Sequence, residues 1–441
     1  MKEVLIHPFS QKVEGEICAP RDKSLSHRAA MIGALSQGTT VIDGFSFCAD
    51  CLSTLSGLEL WGVEIIKEEE KERVTIKSEG LGKLQEPEDV INTGNSGTTM
   101  RLLAGIATGI EGLTIFTGDE SLRRRPMKRI MEPLRLTGVE VGGRKGDSFP
   151  PFFVRGKNRV KAFSYRLPIP SAQVKSALIF AALRGEGTSF IEEPLPSRDH
   201  TENLLCYSGV KIEKRGGVIE VNPPPSSLSA SYLSLPGDLS SASFLIALTT
   251  LLPRSRILIK DIGLNPTRAG FLTCLRQMGG NFKIIGKREE FGELRGDIEV
   301  ESSSLQGVKI GKDLVPLLID EIPIIAVLAA KARGTTIISG AEELRVKETD
   351  RLKAIAQGLK TLGAEVEERE DGLLIQGPCV FQGGRVNSYG DHRIAMSLVV
   401  AGITGERDLV VEDIDCVKIS YPGFFSDLEK IGYKEWEIRE R

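Results

Sequence analysis

The sequence has few aromatic residues, few histidines and no long apolar run. Of its 441 residues, 6% are aromatic and four are histidine. Its apolar stretches are shorter than the roughly 18 residues that can cross a bilayer. A basic segment followed by an apolar core is also missing near Met1. We therefore expect neither export nor membrane insertion, and a cytoplasmic protein.

The chain also lacks an excess of positive charge. Its formal net charge is −3. A protein that binds nucleic acid through a general basic surface needs many more cations than anions, so no nucleic-acid partner is expected. An anionic ligand would have to bind where positive charge is concentrated locally.

Cysteine motifs and nucleotide-binding fingerprints are sparse. The seven cysteines are an odd, scattered set that fits a reducing compartment better than a disulfide framework. Cys48 and Cys51 have redox-motif spacing, but no second pair follows at zinc-ribbon distance, and the flanking Phe47 and Leu52 favour a packing role. No H-E-x-x-H, G-x-G-x-x-G or G-x-x-x-x-G-K-[ST] motif occurs, so we predict no metal site, dinucleotide or P-loop.

What the sequence does contain is one pattern repeated six times, at a period of roughly 70 to 80 residues. A polar or glycine-containing turn leads into a helix rich in Ala, Leu and Ile. Because these helices are apolar on nearly every side, we expect them to be buried all round. The openings are D-K-S-L-S-H-R from Asp22, G-N-S-G-T-T-M-R from Gly94, P-S-A-Q-V-K-S from Pro170, G-D-L-S-S-A-S from Gly237, I-D-E-I-P from Ile319 and Y-G-D-H-R from Tyr389.

Each opening is followed by a β-branched strand and then by a second helix that closes on glycine. Alternation and β-branching predict the strands, which start near Gly38, Leu113, Gly187, Arg256, Gly334 and Asp408. The closing glycines are expected to be left-handed helix C-caps. They are Gly62, Gly138, Gly209, Gly279, Gly363 and Gly432.

Six α/β repeats are too many for one core, so we expect an α/β fold of two domains with three repeats each. The predicted boundary at Leu235 to Asp238 follows the Pro/Ser-rich stretch Asn222 to Ser231. The first domain would span 19–236, and the second would combine 1–18 with 237–441. A strand within Leu5 to Ile17 precedes the first repeat.

The helix openings carry cations where a helix dipole disfavours them. Six residues are candidate N-caps: Ser24, Ser96, Ser171, Ser240, Asp320 and Asp391. Lys23, Arg28, Lys175, Arg351 and Arg393 lie in or beside the first turns. Because cations there oppose the dipole, we expect an anionic ligand to neutralise them.

Two charged segments allow both a solvated and a functional interpretation. R-V-K-E-T-D-R, from Arg345 to Arg351, is either a salt-bridged face or an anion site with Glu348 as an adjacent acid. Among the three arginines before Pro126, Arg125 is the best ligand candidate because it adjoins the helix that the proline begins.

Taken together, these motifs resemble the 5-enolpyruvylshikimate-3-phosphate synthase (3-phosphoshikimate 1-carboxyvinyltransferase) family along essentially the whole chain. The distinctive segments are D-K-S-L-S-H-R, G-N-S-G-T-T-M-R, S-L-R-R-R-P-M, S-A-Q-V-K-S, L-R-V-K-E-T-D-R and G-D-H-R. S-A-Q-V-K, R-D-H-T-E and N-P-T-R look like the family's class II branch.

The resemblance implies a fold, a reaction and a setting. The fold is two pseudo-symmetric inverted α/β domains, each of three βαβαββ-type units, with the active site in the interdomain cleft. The reaction is transfer of enolpyruvyl from phosphoenolpyruvate to the 5-hydroxyl of shikimate 3-phosphate, a transferase step of aromatic amino acid biosynthesis that needs no cofactor. Both substrates are anionic, so cations must offset their repulsion. A monomer is expected.

The resemblance also implies roles for particular residues. Asp320 is the base directed at the hydroxyl, Glu348 the acid that protonates the methylene, and Lys23 the catalytic lysine. The implied shikimate 3-phosphate ligands are Lys23, Ser24, Arg28, Ser171, Ala172, Gln173, Arg198, Asp320 and Lys347. The implied phosphoenolpyruvate ligands are Lys23, Gly97, Arg125, Gln173, Arg351 and Arg393. Lys418 is offset by one residue from the family's spacing to Pro422.

Two alternatives remain at this point. A UDP-N-acetylglucosamine enolpyruvyl transferase shares the fold, but that family has a cysteine in the loop corresponding to Gly118 to Arg125, which contains none here. A non-catalytic phospho-ligand binding protein is the other alternative. Such a protein would need the cations but not Asp320 and Glu348.

Overall fold

The computed structural model describes residues 2–224 and 227–440. Within these residues the chain divides into two compact units. The N-terminal unit comprises 21–224, 227–235 and Glu290–Glu293, and the C-terminal unit comprises 2–20, Pro236–Glu289 and 294–440. Each unit is built from alternating helices and strands, as the repeat pattern predicts.

The first two strands belong to the C-terminal unit. They are β1 (Lys2–Ile6) and β2 (Glu14–Cys18). The expectation of a single strand within 5–17 is wrong, because Pro8 and the polar residues after it interrupt the extended run.

The N-terminal unit then supplies seven helices and thirteen strands among the described residues. Its helices are α1 (Lys23–Leu35), α2 (Ala49–Glu59), α3 (Gly97–Ala107), α4 (Lys128–Leu134), α5 (Arg144–Asp147), α6 (Ala172–Ala182) and α7 (His200–Tyr207). Its strands are β3 (Ser36–Asp43), β4 (Glu64–Glu68), β5 (Arg73–Glu79), β6 (Ile91–Asn92), β7 (Gly112–Thr117), β8 (Glu140–Gly143), β9 (Phe149–Gly156), β10 (Ser164–Arg166), β11 (Ser189–Glu192), β12 (Ile212–Arg215), β13 (Val218–Val221), β14 (Leu228–Ser229) and β15 (Tyr232–Ser234).

The remaining elements follow in the C-terminal unit. Its helices are α8 (Leu239–Leu251), α9 (Gly270–Gln277), α10 (Val315–Leu318), α11 (Ile322–Lys331), α12 (Arg351–Thr361), α13 (His392–Ile403) and α14 (Phe424–Lys430). Its strands are β16 (Arg256–Gly263), β17 (Asn281–Glu290), β18 (Glu293–Glu301), β19 (Lys309–Ile310), β20 (Gly334–Ile338), β21 (Glu365–Arg369), β22 (Gly372–Gly377), β23 (Gly384–Asn387), β24 (Leu409–Glu412) and β25 (Trp436–Glu440).

The described strands form six small mixed sheets that share one plan. In one repeat the chain runs β6, α3, β7, α4, β8, β9, and the sheet order is β6-β7-β9-β8. The first pair is parallel and the other two pairs are antiparallel. This is the predicted βαβαββ unit.

Strands are exchanged where the chain leaves one unit for the other. β2 directly precedes α1 but pairs in parallel with β16 of the C-terminal unit. β14 and β15 precede α8 but pair in parallel with β3 of the N-terminal unit. β1 takes the third place in the last sheet, whose order is β23-β24-β1-β25. The N-terminal strands therefore complete the two incomplete repeats of the C-terminal unit.

Three helices in each unit are enclosed by the sheets and other helices. Nearly every residue is buried along α1, α3 and α6 in the N-terminal unit and along α8, α11 and α13 in the C-terminal unit. The helices approach closely: a Cβ on Gly105 of α3 would lie 2.1 Å from the Ala177 carbonyl oxygen of α6. The prediction of helices buried on all sides is confirmed.

The six predicted glycine caps also have the predicted backbone. Each ends the second helix of its repeat with φ between 81° and 106°, where an L side chain would be strained. In the described part of the chain, the helices are all too short or too polar to span a bilayer.

Candidate functional site

The N-termini of the buried helices are capped by side chains. The predicted caps Ser96, Ser171 and Asp391 are confirmed, since each accepts a hydrogen bond from a backbone N–H of its helix. Ser24 and Ser240 are not caps, because the carboxylates of Asp22 and Asp238 occupy the cap positions two residues earlier. Their hydroxyl groups are therefore not used for capping.

Asp320 is not an N-cap either. It lies in the 3₁₀ turn Ile319–Glu321, directly before α11, where no side-chain cap bond is made. Its carboxylate instead belongs to a cluster of charged side chains described below.

Lys23 begins α1 and is held by an acidic partner. Its Nζ lies 2.9 Å from Oδ2 of Asp50, which is in the first turn of α2. Both side chains are mostly buried. The neighbouring Ser24 uses its backbone carbonyl to accept a hydrogen bond from Arg28 Nη1 at 3.0 Å.

Arg28 is a buried cation whose hydrogen bonds go to neutral oxygens. Besides the Ser24 carbonyl, it donates to Thr201 Oγ1 at 2.7 Å and to Ser176 Oγ at 3.1 Å. Burial, and next the positive charge of Arg198, lower the pKa of Arg28 to about 10, although Glu202 and Asp22 act in the opposite direction. The positive charge of Arg198 therefore disfavours the charged form of Arg28, and a bound anion would offset that repulsion.

Lys175 differs from Arg28, although the sequence placed both in buried helices. Its fully buried Nζ lies 3.0 Å from Glu202 and 3.1 Å from Glu193, and it donates to the Ser197 carbonyl. The expectation that a ligand neutralises Lys175 is wrong, because carboxylates of the protein already do so.

Gln173 and Gly97 are linked by an arginine that the sequence reasoning missed. Arg101 Nη1 donates to Gln173 Oε1 at 2.7 Å, while Gln173 Nε2 donates to Thr98 Oγ1 at 3.0 Å. A Cβ on Gly97 would lie 2.6 Å from Arg101 Nη1. The only available signal was that this arginine closes the G-N-S-G-T-T-M-R segment, one helical turn after the glycine.

Arg125 is the buried member of the three consecutive arginines. Its Nη2 donates to Asn95 Oδ1 at 2.6 Å and to Ser121 Oγ at 3.2 Å. Arg124 is exposed and pairs with Glu120. A Cβ on Gly97 would lie 3.5 Å from Arg125 Nη1, so the glycine and this cation are neighbours.

Arg351 is the centre of the cluster in the C-terminal unit. Its buried guanidinium lies 2.7 Å from Asp391, 2.7 Å from Glu348 and 3.3 Å from Asp320. Burial opposes its charge, but the three carboxylates outweigh burial and raise the pKa of Arg351 above its ordinary value. Both predicted acid/base residues therefore contact one arginine.

Lys347 and Arg393 complete this cluster. Burial lowers the pKa of Lys347, against the attraction of Asp320 and Glu343. Arg393 approaches Asp320 at 4.0 Å and Glu321 at 3.8 Å. Glu321, for which the sequence pattern predicts no role, is buried and also pairs with Arg268 at 3.0 Å.

Two other cations near these segments do not belong to the cluster: one stabilises the start of a helix and the other is exposed to solvent. Arg345 pairs with Asp350 and Glu368, both at 2.8 Å, and so fixes the start of α12. Lys418 is exposed and pairs with Asp415 at 3.4 Å. The charged segment 345–351 thus contains both the salt-bridged face and the buried cluster that the sequence left open.

No cluster of three or more His, Cys, Asp or Glu side chains suited to a metal ion is found in residues 2–224 and 227–440. The arrangement within each unit instead offers buried guanidinium and ammonium groups, capped helix starts and, in the C-terminal unit, two carboxylates that could exchange protons.

Comparison with known proteins identifies the family of this chain. The family model described as EPSP synthase (3-phosphoshikimate 1-carboxyvinyltransferase) matches residues 9–428. A 3-phosphoshikimate 1-carboxyvinyltransferase of Bacillus cereus (strain G9842) is 44% identical over 98% of this chain and 100% of its own length. One from Bacillus anthracis is 43% identical with the same coverage.

Solved structures give the same result. An EPSP synthase from Acinetobacter baumannii, solved at 2.37 Å, superimposes with a TM-score of 0.89 at 36% identity, covering 100% of both chains. A second structure of EPSP synthase from that organism gives a TM-score of 0.87 at 35% identity. The predicted fold is confirmed, and the chain belongs to the EPSP synthase (3-phosphoshikimate 1-carboxyvinyltransferase) family.

Proposed function

We propose that this protein transfers the enolpyruvyl group of phosphoenolpyruvate to the 5-hydroxyl of shikimate 3-phosphate and releases phosphate. Family membership supports the reaction. The observation that supports the site assignment is buried Arg28, whose three hydrogen bonds go to neutral oxygens and whose charge is disfavoured by burial and by Arg198, so that a bound anion would stabilise it. We expect the enzyme to act as a cytoplasmic monomer in aromatic amino acid biosynthesis.

The N-terminal unit binds the acceptor and part of the donor. The shikimate phosphate lies against Arg28, Arg198, Ser24 and the α6 start at Ser171 and Ala172, where side-chain donors and helix N–H groups favour an anion. Lys23 and Gln173 contact both substrates. Arg125, with the Gly97 backbone beside it, binds phosphoenolpyruvate.

The C-terminal unit supplies the proton transfers. Asp320 accepts the proton of the 5-hydroxyl as its oxygen attacks the donor carbon, and Glu348 protonates the methylene carbon. The resulting tetrahedral intermediate loses phosphate as Glu348 takes back a proton from the new methyl group, and Asp320 passes the hydroxyl proton to the departing phosphate. Lys347 orients the acceptor hydroxyls, and Arg351 and Arg393 offset the negative charge of the donor.

Arg351 also controls when Glu348 can act as an acid. Its guanidinium lies 2.7 Å from Glu348, and such a pair favours the ionised carboxylate. When the donor anion binds Arg351, its negative charge weakens that pair and favours the protonated acid. Proton donation is therefore coupled to donor binding.

Phosphate release from phosphoenolpyruvate and shikimate 3-phosphate tests the proposal. We expect turnover in the wild type, and a loss of roughly 10² to 10⁴ in kcat for Glu348→Gln and for Asp320→Asn, because each removes a proton-transfer group. Glu368→Gln is the matched control. Glu368 pairs with Arg345 and does not contact Arg351, so this substitution should leave kcat nearly unchanged.

Two outcomes would contradict this function. Phosphate release with UDP-N-acetylglucosamine, but not with shikimate 3-phosphate, would identify the related transferase instead. Tight binding of both substrates without phosphate release would identify a non-catalytic binding protein.

A further inference from the structure

Arg198 lies in a part of the chain without regular secondary structure. Residues 193–199 connect β11 to α7 and belong to neither. In a helix or strand, backbone hydrogen bonds fix the direction of each side chain, whereas an irregular segment depends on other contacts. The function proposed above needs Arg198 at a fixed place, and the residues on either side of it are firmly held.

Ser197, which precedes Arg198, is held at its N–H, its hydroxyl and its carbonyl. The N–H and the hydroxyl donate to Glu193 Oε2, at 3.2 and 2.8 Å. The carbonyl oxygen accepts a hydrogen bond from Lys175 Nζ at 2.9 Å. The same ammonium group lies 3.1 Å from Glu193 Oε2. Lys175 and Glu193 therefore fix both peptide groups of Ser197, one of which leads into Arg198.

Asp199, which follows Arg198, is held by two other residues. Lys214 Nζ donates to Asp199 Oδ2 at 3.0 Å, and the N–H of Asn203 donates to the Asp199 carbonyl oxygen at 3.0 Å. The lysine is in β12 and the asparagine is in α7. The backbone of Arg198 is thus anchored to regular elements on both sides.

A second contact joins α6 to α7 without Lys175. Ser176, the next residue of α6, has its hydroxyl 2.7 Å from the Thr201 hydroxyl of α7. Arg28 donates hydrogen bonds to both of these hydroxyl groups. Loss of the Lys175 contacts should therefore leave Arg28 in place and affect Arg198.

Lys175 is itself enclosed by protein. Its side chain is 0% exposed, and its ammonium group lies 3.0 Å from Glu202 in addition to the contact with Glu193. A buried ion pair is weak evidence for stability, since an apolar side chain of similar volume often serves a fold as well. The charged group is better explained by the polar segment that it holds.

We propose that Lys175 is a positioning residue: together with Glu193 it fixes Ser197, and thereby places Arg198 to bind the phosphate group of the acceptor. The proposal rests on the function proposed above. Without the ammonium group, segment 193–199 has more conformations, and Arg198 binds phosphate less tightly because it must be ordered on binding. The effect is confined to ligands that carry the phosphate.

Shikimate, which lacks the phosphate, separates this role from a general structural one. Calorimetry of the full-length protein gives the dissociation constants of shikimate 3-phosphate and of shikimate. Lys175→Met should weaken shikimate 3-phosphate binding roughly tenfold, the size of one lost charge-assisted hydrogen bond, and leave shikimate binding unchanged. In steady-state kinetics the KM for shikimate 3-phosphate should rise by the same factor, while kcat changes little.

A double-mutant cycle tests whether Lys175 acts through Arg198. Arg198→Gln should itself weaken binding of shikimate 3-phosphate by roughly tenfold or more. Adding Lys175→Met to it should cause no further loss, because residues that act through one another are not additive. Lys211→Met is the control: this lysine is 72% exposed, pairs with Glu213, and should leave both dissociation constants unchanged.

Ser197→Ala keeps every charge in place and removes only the hydroxyl contact with Glu193. It covers the case in which Lys175→Met does not fold, since removal of one partner from a buried ion pair is destabilising. Ser197→Ala should weaken shikimate 3-phosphate binding roughly twofold to tenfold, without an effect on shikimate.

Three results would overturn the proposal. They are equal weakening of shikimate and shikimate 3-phosphate binding by Lys175→Met, a further loss of the same size when Lys175→Met is added to Arg198→Gln, and unchanged binding of shikimate 3-phosphate by Ser197→Ala. If the wild type binds shikimate 3-phosphate but releases no phosphate from phosphoenolpyruvate, the proposed transfer fails, whereas these binding measurements still decide the role of Lys175.

Discussion

Gly97 and Arg101 lie one turn apart on α3, and the guanidinium of Arg101 fills the space that the glycine leaves. A Cβ at position 97 would be 2.6 Å from Arg101 Nη1, which donates to Gln173 Oε1 at 2.7 Å. The contact with Arg101 fixes the orientation of the Gln173 amide. A methyl group at position 97 would displace the Arg101 guanidinium and, through it, Gln173.

We therefore predict that Gly97→Ala and Arg101→Gln are not additive. Each should raise the KM for phosphoenolpyruvate, and the double variant should be less impaired than the sum by about 0.5 to 3 kcal/mol, the coupling usual for contacting residues. Steady-state kinetics of the four proteins measures this. Pairing Gly97→Ala with Lys128→Ala, an exposed residue of α4, should give additive effects. If the effects of Gly97→Ala and Arg101→Gln on the KM are additive in the double variant, the proposed coupling is disproved.

From the lowered pKa of Lys347 we predict that the KM for shikimate 3-phosphate depends on pH. Burial lowers its pKa, so it loses its positive charge at a lower pH than an ordinary lysine does. In the role proposed for Lys347, the charged form present below that pKa orients the acceptor. The neutral form present above it would do so less well, so the KM for shikimate 3-phosphate should rise on the alkaline side.

Lys347→Arg checks this assignment, because a guanidinium stays charged over the same range. The alkaline rise in KM should move to higher pH in this variant, whatever the change in kcat. The same substitution at the exposed Lys418 should leave the profile unaltered. If the alkaline rise in KM occurs at the same pH in Lys347→Arg as in the wild type, a group other than Lys347 causes it.

At this scale the sequence identified the charged residues but not their partners. In the sequence, Lys175 and Arg28 are both cations beside a helix start, a position that predicts an anionic ligand for each. The difference comes from Glu193 and Glu202, which the fold brings to Lys175 from outside its helix. Short-range patterns cannot reveal such contacts, and for the same reason Arg101 and Glu321 were missed.

At the scale of elements, glycine positions were predictable and cap positions were less so. D-K-S and D-L-S each contain two good cap formers, and the structure uses the aspartates at Asp22 and Asp238. Asx and Ser side chains have nearly equal cap preference, so spacing alone does not decide between them. Only glycine relieves the strain of a left-handed C-cap, which makes that signal stronger.

Gly209 offers a clean test of that strain. Its φ is +95°, and an added Cβ would meet nothing within 4 Å. Gly209→Ala should therefore lower the free energy of unfolding through backbone strain alone, by roughly 1 to 2 kcal/mol. Urea denaturation measures the change.

Gly187→Ala is the control in the same unit. Its φ lies outside the left-handed range, and the nearest atom to an added Cβ is Ala162 Cβ at 3.7 Å. It should be nearly neutral. Equal unfolding free energies for the two variants would show that Gly209 does not need glycine.

At the scale of the whole molecule, the sixfold repeat predicted the repeated α/β units. It did not predict which strands pair with a sheet formed by a distant part of the chain. Each repeat encodes its own helices and central strands locally. The exchange of β2 and of β14 with β15 depends on which sheet edge each strand reaches in space. Extended segments have no local signal for the partner they pair with.

The whole-molecule claim is that cations from one unit and carboxylates from the other serve a single transfer reaction. ³¹P nuclear magnetic resonance of the wild type with both substrates tests it most directly. We predict that inorganic phosphate and a new phosphate monoester, the enolpyruvyl ether of shikimate 3-phosphate, appear in equal amounts. We also predict that neither appears with Arg28→Gln or Glu348→Gln on the same timescale. Phosphate released without the ether, or undiminished ether formation by either variant, would contradict the account.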